Sequence, residues 1–188
     1  MKLYFHMCYK NFSNCYLLIN EEYKQAVLID PGEVTTQMID QIESGGYKLC
    51  AVLLTHSHPN ITRGLNTLLK IYSPVIYCAN CDIKNCELFI LKGDGHINIA
   101  GFDVEYFSCP GHSSDSMVYK IGLIMFTGES LTAGMIGETD TQYSKKILLN
   151  NLKQKVLSQT DGTILFPGRG PPSSVGAEKK FNNDILKS

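Results

Sequence analysis

The chain has 188 residues, 44% of them apolar and 19% charged, with a formal net charge of −1. That length suits a single domain over 1–188 with a core of its own. The charge balance excludes a nucleic-acid groove, which needs a basic surplus against phosphate, so the expected partner is a small molecule.

No run reaches the roughly 20 apolar residues that span a bilayer, so no membrane partner is expected. The first stretch is broken by His6, Lys10, Asn11 and Asn14 and lacks the apolar core and cleavage site of a signal peptide. The cytoplasm is the expected compartment. In chain order, strands are predicted over Lys2–Met7, Cys15–Ile19 and Ala26–Ile29, the last stopped by Asp30-Pro31-Gly32. Val34, Met38 and Ile42 have helical spacing, and Gly45-Gly46 ends that helix at Ser44. Ala51–Leu54 is a short, wholly apolar run, the mark of a buried strand, and it leads straight into Thr55-His56-Ser57-His58. A helix is predicted over Arg63–Ile71 and a strand over Pro74–Cys78. The second half carries predicted strands at His96–Ile99, Phe102–Phe107, Met117–Ile121 and Leu123–Thr127. A long amphipathic helix follows over Thr141–Ser158, then a strand Thr163–Phe166 and a last helix from about Gly176. Two mixed halves of this kind imply two packed sheets with helices outside, and function on the strand-end loops.

Seven cysteines show no disulfide-framework regularity, and their odd number points to free thiols. Cys78-Ala-Asn-Cys81 has only Cys86 near it, whereas a structural zinc wants a second pair, so packing cysteines are expected there. His56-Ser57-His58 sits just past a buried strand, where two imidazoles can converge on one ion. Alone, that pair is weak, because two histidines in a turn are commonly solvated. Pro110-Gly111-His112 is a tight turn that projects a third imidazole. Glu129 follows Gly128 after an apolar strand, and Arg169 lies between Gly168 and Gly170 after another. His6 and His96 fall in strands or strand starts, away from these loops. Cys109 is expected to be a small buried packer.

In order and spacing these elements resemble the metallo-β-lactamase superfamily, from about Asn14 to Phe181, and within it the small glyoxalase II-like proteins. The family pattern is D-P-G, then T-H-x-H-x-D-H-x-x-G, then P-G-H, T-G-D and G-H-G. The resemblance implies an α/β fold, a four-layer αβ/βα sandwich with a metal site at one edge of the two sheets. Asp30 would support that site without binding the ion. The departures fall in the site itself. Against the family pattern, Thr55 opens T-H-S-H-P-N-I-T-R-G, so Asn60 stands at the aspartate and Ile61 at the third histidine. Glu129 replaces the bridging aspartate and Arg169 the last histidine. The ligands of the first metal position, His56, His58 and His112, survive, and Glu129 remains a candidate fourth. Every ligand particular to the second position is lost. Isoleucine has no lone pair, a neutral amide is a poor zinc ligand, and guanidinium repels a cation.

Asn60, Glu129 and Arg169 are therefore degenerate catalytic positions. A guanidinium at 169 can pair with Glu129 in a bidentate fork and stand in for the second metal; alternatively it swings into solvent. Three functional readings stay open. One is a one-metal hydrolase, with zinc on the three histidines and a thioester as substrate, since a thiolate leaves without protonation. Another is a binding or scaffolding domain without catalysis. The third is a mononuclear iron enzyme resembling the superfamily's persulfide dioxygenases, with His56, His112 and Glu129 as its ligands.

Overall fold

The first 30 residues form an antiparallel meander, in which β2 (Ser13–Asn20) and β3 (Gln25–Ile29) are buried almost throughout and β1 (Lys2–Cys8) is the more exposed edge. The computed structural model describes residues 1–187. After helix α1 (Thr36–Glu43) the chain returns in parallel as β4 (Lys48–Leu53), β5 (Val75–Cys78) and β6 (Leu88–Ile90), giving a six-stranded sheet in the order β1-β2-β3-β4-β5-β6. Thr35 starts α1 by accepting a hydrogen bond from the Met38 N–H at 3.2 Å.

The second sheet, in the order β14-β13-β10-β9-β8-β7, comprises β7 (Gly95–Ile99), β8 (Phe102–Ser108), β9 (Met117–Ile121), β10 (Ile124–Gly128), β13 (Ile164–Pro167) and β14 (Ser173–Ser174). A two-stranded ribbon, β11 (Leu131–Thr132) and β12 (Met135–Ile136), follows the end of β10. The predicted long helix is α4 (Gln142–Asn151), passing directly into a π-helical turn at Leu152–Val156; α5 (Val175–Phe181) and α6 (Asn183–Leu186) end the chain.

Side-chain alternation shows how the layers stack. Tyr16, Leu18, Val27, Ile29, Ala51 and Leu53 point inward and pack with Phe102, Val104, Met117, Tyr119 and Phe126 of the second sheet. Their sequence neighbours Leu17, Ile19, Leu28, Val52 and Leu54 point outward, onto Met38, Ile42, Leu65 and Leu68 of the helices. Val118, Met125 and Leu165 pack in the same way under Leu148, Leu152, Val156 and Val175. Both sheets are thus buried on two faces, which gives the expected αβ/βα sandwich. Each buried Leu or Ile contributes about 1.5–3 kcal/mol of burial.

The region after the histidine loop departs from expectation. In place of a helix over Arg63–Ile71 there are two short ones, α2 (Pro59–Thr62) and α3 (Leu65–Leu68). Pro59 lacks an N–H and suits the first helical position, so the helix begins directly after His58. Gly64 then interrupts it, lying so close to the Pro31 carbonyl that a Cβ there would collide. This pinch holds the D-P-G turn against the histidine loop.

Candidate metal centre

All the singled-out loops follow the carboxyl ends of strands: Asp30 after β3, the Thr55–His58 loop after β4, His112 after β8, Glu129 after β10 and Arg169 after β13. The two sheets are tied together at this rim. The Met117 N–H donates to the Thr55 carbonyl at 2.7 Å, and the Tyr119 hydroxyl to the Leu54 carbonyl at 2.8 Å. Gly128 has φ +53°, and a Cβ there would strike the Thr55 side chain, so only glycine lets the two loops approach this closely.

The structure brings His56, His58 and His112 together. Their ring centroids lie 4.6 to 5.1 Å apart, nearly perpendicular to one another, and one ligand atom from each falls within 4.8 Å of the others. The hydrogen bonds behind the rings define the tautomers. Asp30, buried and held at φ +53°, accepts from the Thr55 N–H at 2.8 Å and from the Thr55 hydroxyl at 2.7 Å. With Asp30 ionised, the Thr55 hydroxyl gives its proton to that carboxylate and accepts at 3.1 Å from His56 Nδ1–H. That leaves His56 Nε2 with a bare lone pair. His112 Nδ1–H donates to the Glu138 carbonyl at 2.9 Å, which leaves His112 Nε2 in the same condition. Both Nε2 atoms are buried and have no hydrogen-bond partner. Burial pushes His56 down to about 4, so this ring is neutral at physiological pH, as a ligand must be. Burial also pushes Asp30 up to about 7, against the two hydrogen bonds from Thr55.

Buried imidazole nitrogens without partners are costly unless something accepts their lone pairs. Three histidines whose ring nitrogens converge in this way are the donor set of a mononuclear zinc or iron site. The residues fit such an ion, and backbone and hydroxyl partners behind the rings fix their orientation.

The second position has the opposite character. Glu129 Oε1 accepts from Arg169 Nε at 3.1 Å and, through a short contact, from Asn60 Nδ2. The pairing expected between Arg169 and Glu129 is present, but it is a single Nε contact and not the bidentate fork. Asn60 takes the other approach to the same oxygen, and the guanidinium remains half-exposed. An aspartate at position 60 would repel Glu129; the amide turns that repulsion into a donated hydrogen bond. Glu129 Oε2 lies 3.6 Å from His112 Nε2, so the carboxylate borders the histidine cluster without joining it. Burial by itself pushes Glu129 up, but the hydrogen bond and charge of Arg169, with help from His56 and Asn60, hold it below its usual range. Ile61 is wholly buried in the outer core.

Sequence reasoning missed the residues that pin the Arg169 loop. The buried Asn14 amide donates to the Pro167 and Gly170 carbonyls at 2.9 and 2.8 Å, and the Tyr16 hydroxyl to Pro167 at 2.6 Å. The available signal was a polar residue opening an otherwise apolar strand. Asn11 was likewise missed; its amide donates to the Asn60 carbonyl at 2.7 Å. His6 is engaged by Gln41 at 2.9 Å and His96 is exposed on β7, both away from the rim. Cys109 is fully buried, with its thiol pushed up to about 12 by burial, and all seven cysteines are free. Cys78, Cys81 and Cys86 pack against the outer core, and among the described residues only the three histidines form a set close enough to hold a metal.

The Metallo-beta-lactamase superfamily pattern matches residues 9–94. An uncharacterized protein of Treponema pallidum is 35% identical over 178 residues, covering 93% of this chain and 94% of its own length. The hydroxyacylglutathione hydrolase GloC of Haemophilus influenzae is 27% identical, over 90% of this chain and 91% of its own. The crystal structure of the BLEG-1 B3 metallo-beta-lactamase superposes with a TM-score of 0.85 at 23% identity, covering 98% of this chain and 99% of that one. The chain belongs to the metallo-β-lactamase superfamily and has its fold. No helix among the described residues is long and apolar enough to cross a membrane.

Proposed function

We propose that this protein is a mononuclear metallo-hydrolase of thioesters, its single ion held by His56, His58 and His112. The observation that carries this reading is the pair of buried Nε2 atoms, on His56 and His112, whose lone pairs no group of the protein takes up. A bound zinc ion would supply Lewis acidity toward a carbonyl and make water acidic near neutral pH. The remaining work falls to side chains. Glu129 is held ionised by Arg169 and Asn60, which engage only Oε1, so Oε2 faces the cluster as a proton acceptor for water. Asp30 and Thr55 hold the His56 ring from behind.

Several points favour a thioester over an amide or lactam. A thiolate leaves without a proton, and nothing at the second position can assist a nitrogen leaving group. The Haemophilus influenzae relative, named for hydrolysing acylglutathiones, points to the same class. The lack of an aspartate at position 60 weakens water positioning, a defect that lowers rate by orders of magnitude, so turnover is expected to be slow. Thiol release from a simple aryl thioester, with the zinc-loaded protein, tests this. Slow turnover that vanishes in His56→Ala supports the reading, with no hydrolysis of a cephalosporin. Absence of zinc-dependent thiol release overturns it and leaves the fold as a binding domain.

A further inference from the structure

Beside the histidine cluster lies a cleft of about 460 Å³ whose walls include His112, Glu129, Met135, Ile136, Arg169 and Pro171. Resting on the hydrolase reading above, we propose that this cleft takes substrates bearing a carboxylate, and that Arg169 is its specificity-determining residue. Arg169 donates only its Nε–H to the protein; among the described residues none accepts a hydrogen bond from Nη1 or Nη2. The side chain is 47% exposed, yet its loop is fixed by Asn14 and Tyr16. The guanidinium is further anchored through Nε to the 13% exposed Glu129. A surface arginine usually loses side-chain entropy when it binds, but this one already has its flanking backbone held and its Nε paired. Its outer N–H groups form a planar fork of the kind that recognises carboxylates.

The rest of the wall narrows the class. Met135, Ile136, Ala133 and Pro171 offer an apolar surface for a short hydrocarbon or aromatic body. Glu129 and Glu138 share the cleft with the one guanidinium, so a dianionic phosphate meets twice the long-range repulsion that a single carboxylate does, and the contact with the guanidinium fork has less to overcome for the carboxylate. The arginine that stands at a lost metal position thus contributes a binding function of its own. It places the carboxylate end of a thioester so that the body runs along the apolar wall toward His112.

Equilibrium binding of phenylacetate and its neutral isostere phenylacetamide, followed by NMR shift titration, tests this without any turnover. Zinc-loaded and chelator-treated protein are compared. The wild type is expected to bind phenylacetate about tenfold or more tightly than the amide in both states. Arg169→Gln should remove the preference, and Arg169→Lys should retain only part of it. Glu129→Gln, which breaks the internal pair but keeps the guanidinium, should keep or strengthen it. The proposal is overturned if Arg169→Gln leaves the preference intact, if chelation alone abolishes it, or if Glu129→Gln abolishes it as Arg169→Gln does. Failure of the hydrolase reading would show separately, as absent thiol release from a protein that still prefers the carboxylate.

Discussion

The two halves of the sheet rim solve the same electrostatic problem in opposite ways. At His56 and His112 the protein's own acceptors take the Nδ1 protons and leave Nε2 bare and buried, in a cluster that could hold an ion. A few ångströms away, Asn60 and Arg169 both donate to Glu129 Oε1. The family's second position has not been left as a hole here. A donor amide at position 60 and a cation at position 169 converge on one oxygen of Glu129 and balance its charge. Side chains of complementary charge thus share this half of the rim within an intact fold.

Removing a ligand from the half that keeps its lone pairs bare should have the largest effect. His112→Ala is expected to weaken zinc binding by more than about 100-fold, the upper cost of losing only an outer-shell partner; competition with a chromogenic chelator measures it. His6→Ala, in a histidine bonded to Gln41, should leave affinity unchanged. Next comes reversal of the paired half. Asn60→Asp, Ile61→His and Arg169→His together should raise bound metal from one to two per chain, whereas Arg169→His alone should not, since Asn60 and Ile61 remain.

Acid should expose the contrast more gently. In metal-free protein the folded-state value of His56, lowered to about 4 by burial, lies below its unfolded value near 6.5. The unfolded chain then binds the extra proton between those two values, so this histidine's contribution to stability is full above pH 6.5 and is lost as pH falls toward 4. Denaturant titrations across that window should show a declining midpoint, with a shallower slope in His56→Gln. The smallest effect belongs to Arg169→Ala. With its guanidinium half in water, losing the pair should cost about 1 kcal/mol or less; a loss of several kcal/mol would mean the pair behaves as a buried one.

Much of this was legible in the sequence, because a sheet buried on both faces writes itself as unbroken apolar runs such as Ala51–Leu54, and the histidine loops follow those runs directly. The substitutions at 60, 61, 129 and 169 were also readable, as was the pairing of Arg169 with Glu129. Its form was not: which oxygen and which nitrogen meet depends on Asn60 arriving from α2. The helix start at Pro59 was misplaced although its signal was local, a proline at the first helical position directly after His58; what sequence could not show is the close approach of the distant Pro31 carbonyl that requires glycine at 64. The edge strand Leu88–Ile90 escaped because Phe89 and Ile90 are both exposed, so no inside–outside alternation marks it. The tautomers of His56 and His112 depend on partners 25 or so residues away or more, Asp30 through Thr55 and the Glu138 carbonyl, beyond any local pattern.

Elemental analysis of the protein purified without chelator tests the contrast between the two halves most directly. One tightly held zinc or iron per chain, absent from His56→Ala and His112→Ala, is the predicted result. Two stoichiometric metals in the unaltered chain, or none after incubation with zinc and desalting, would contradict it.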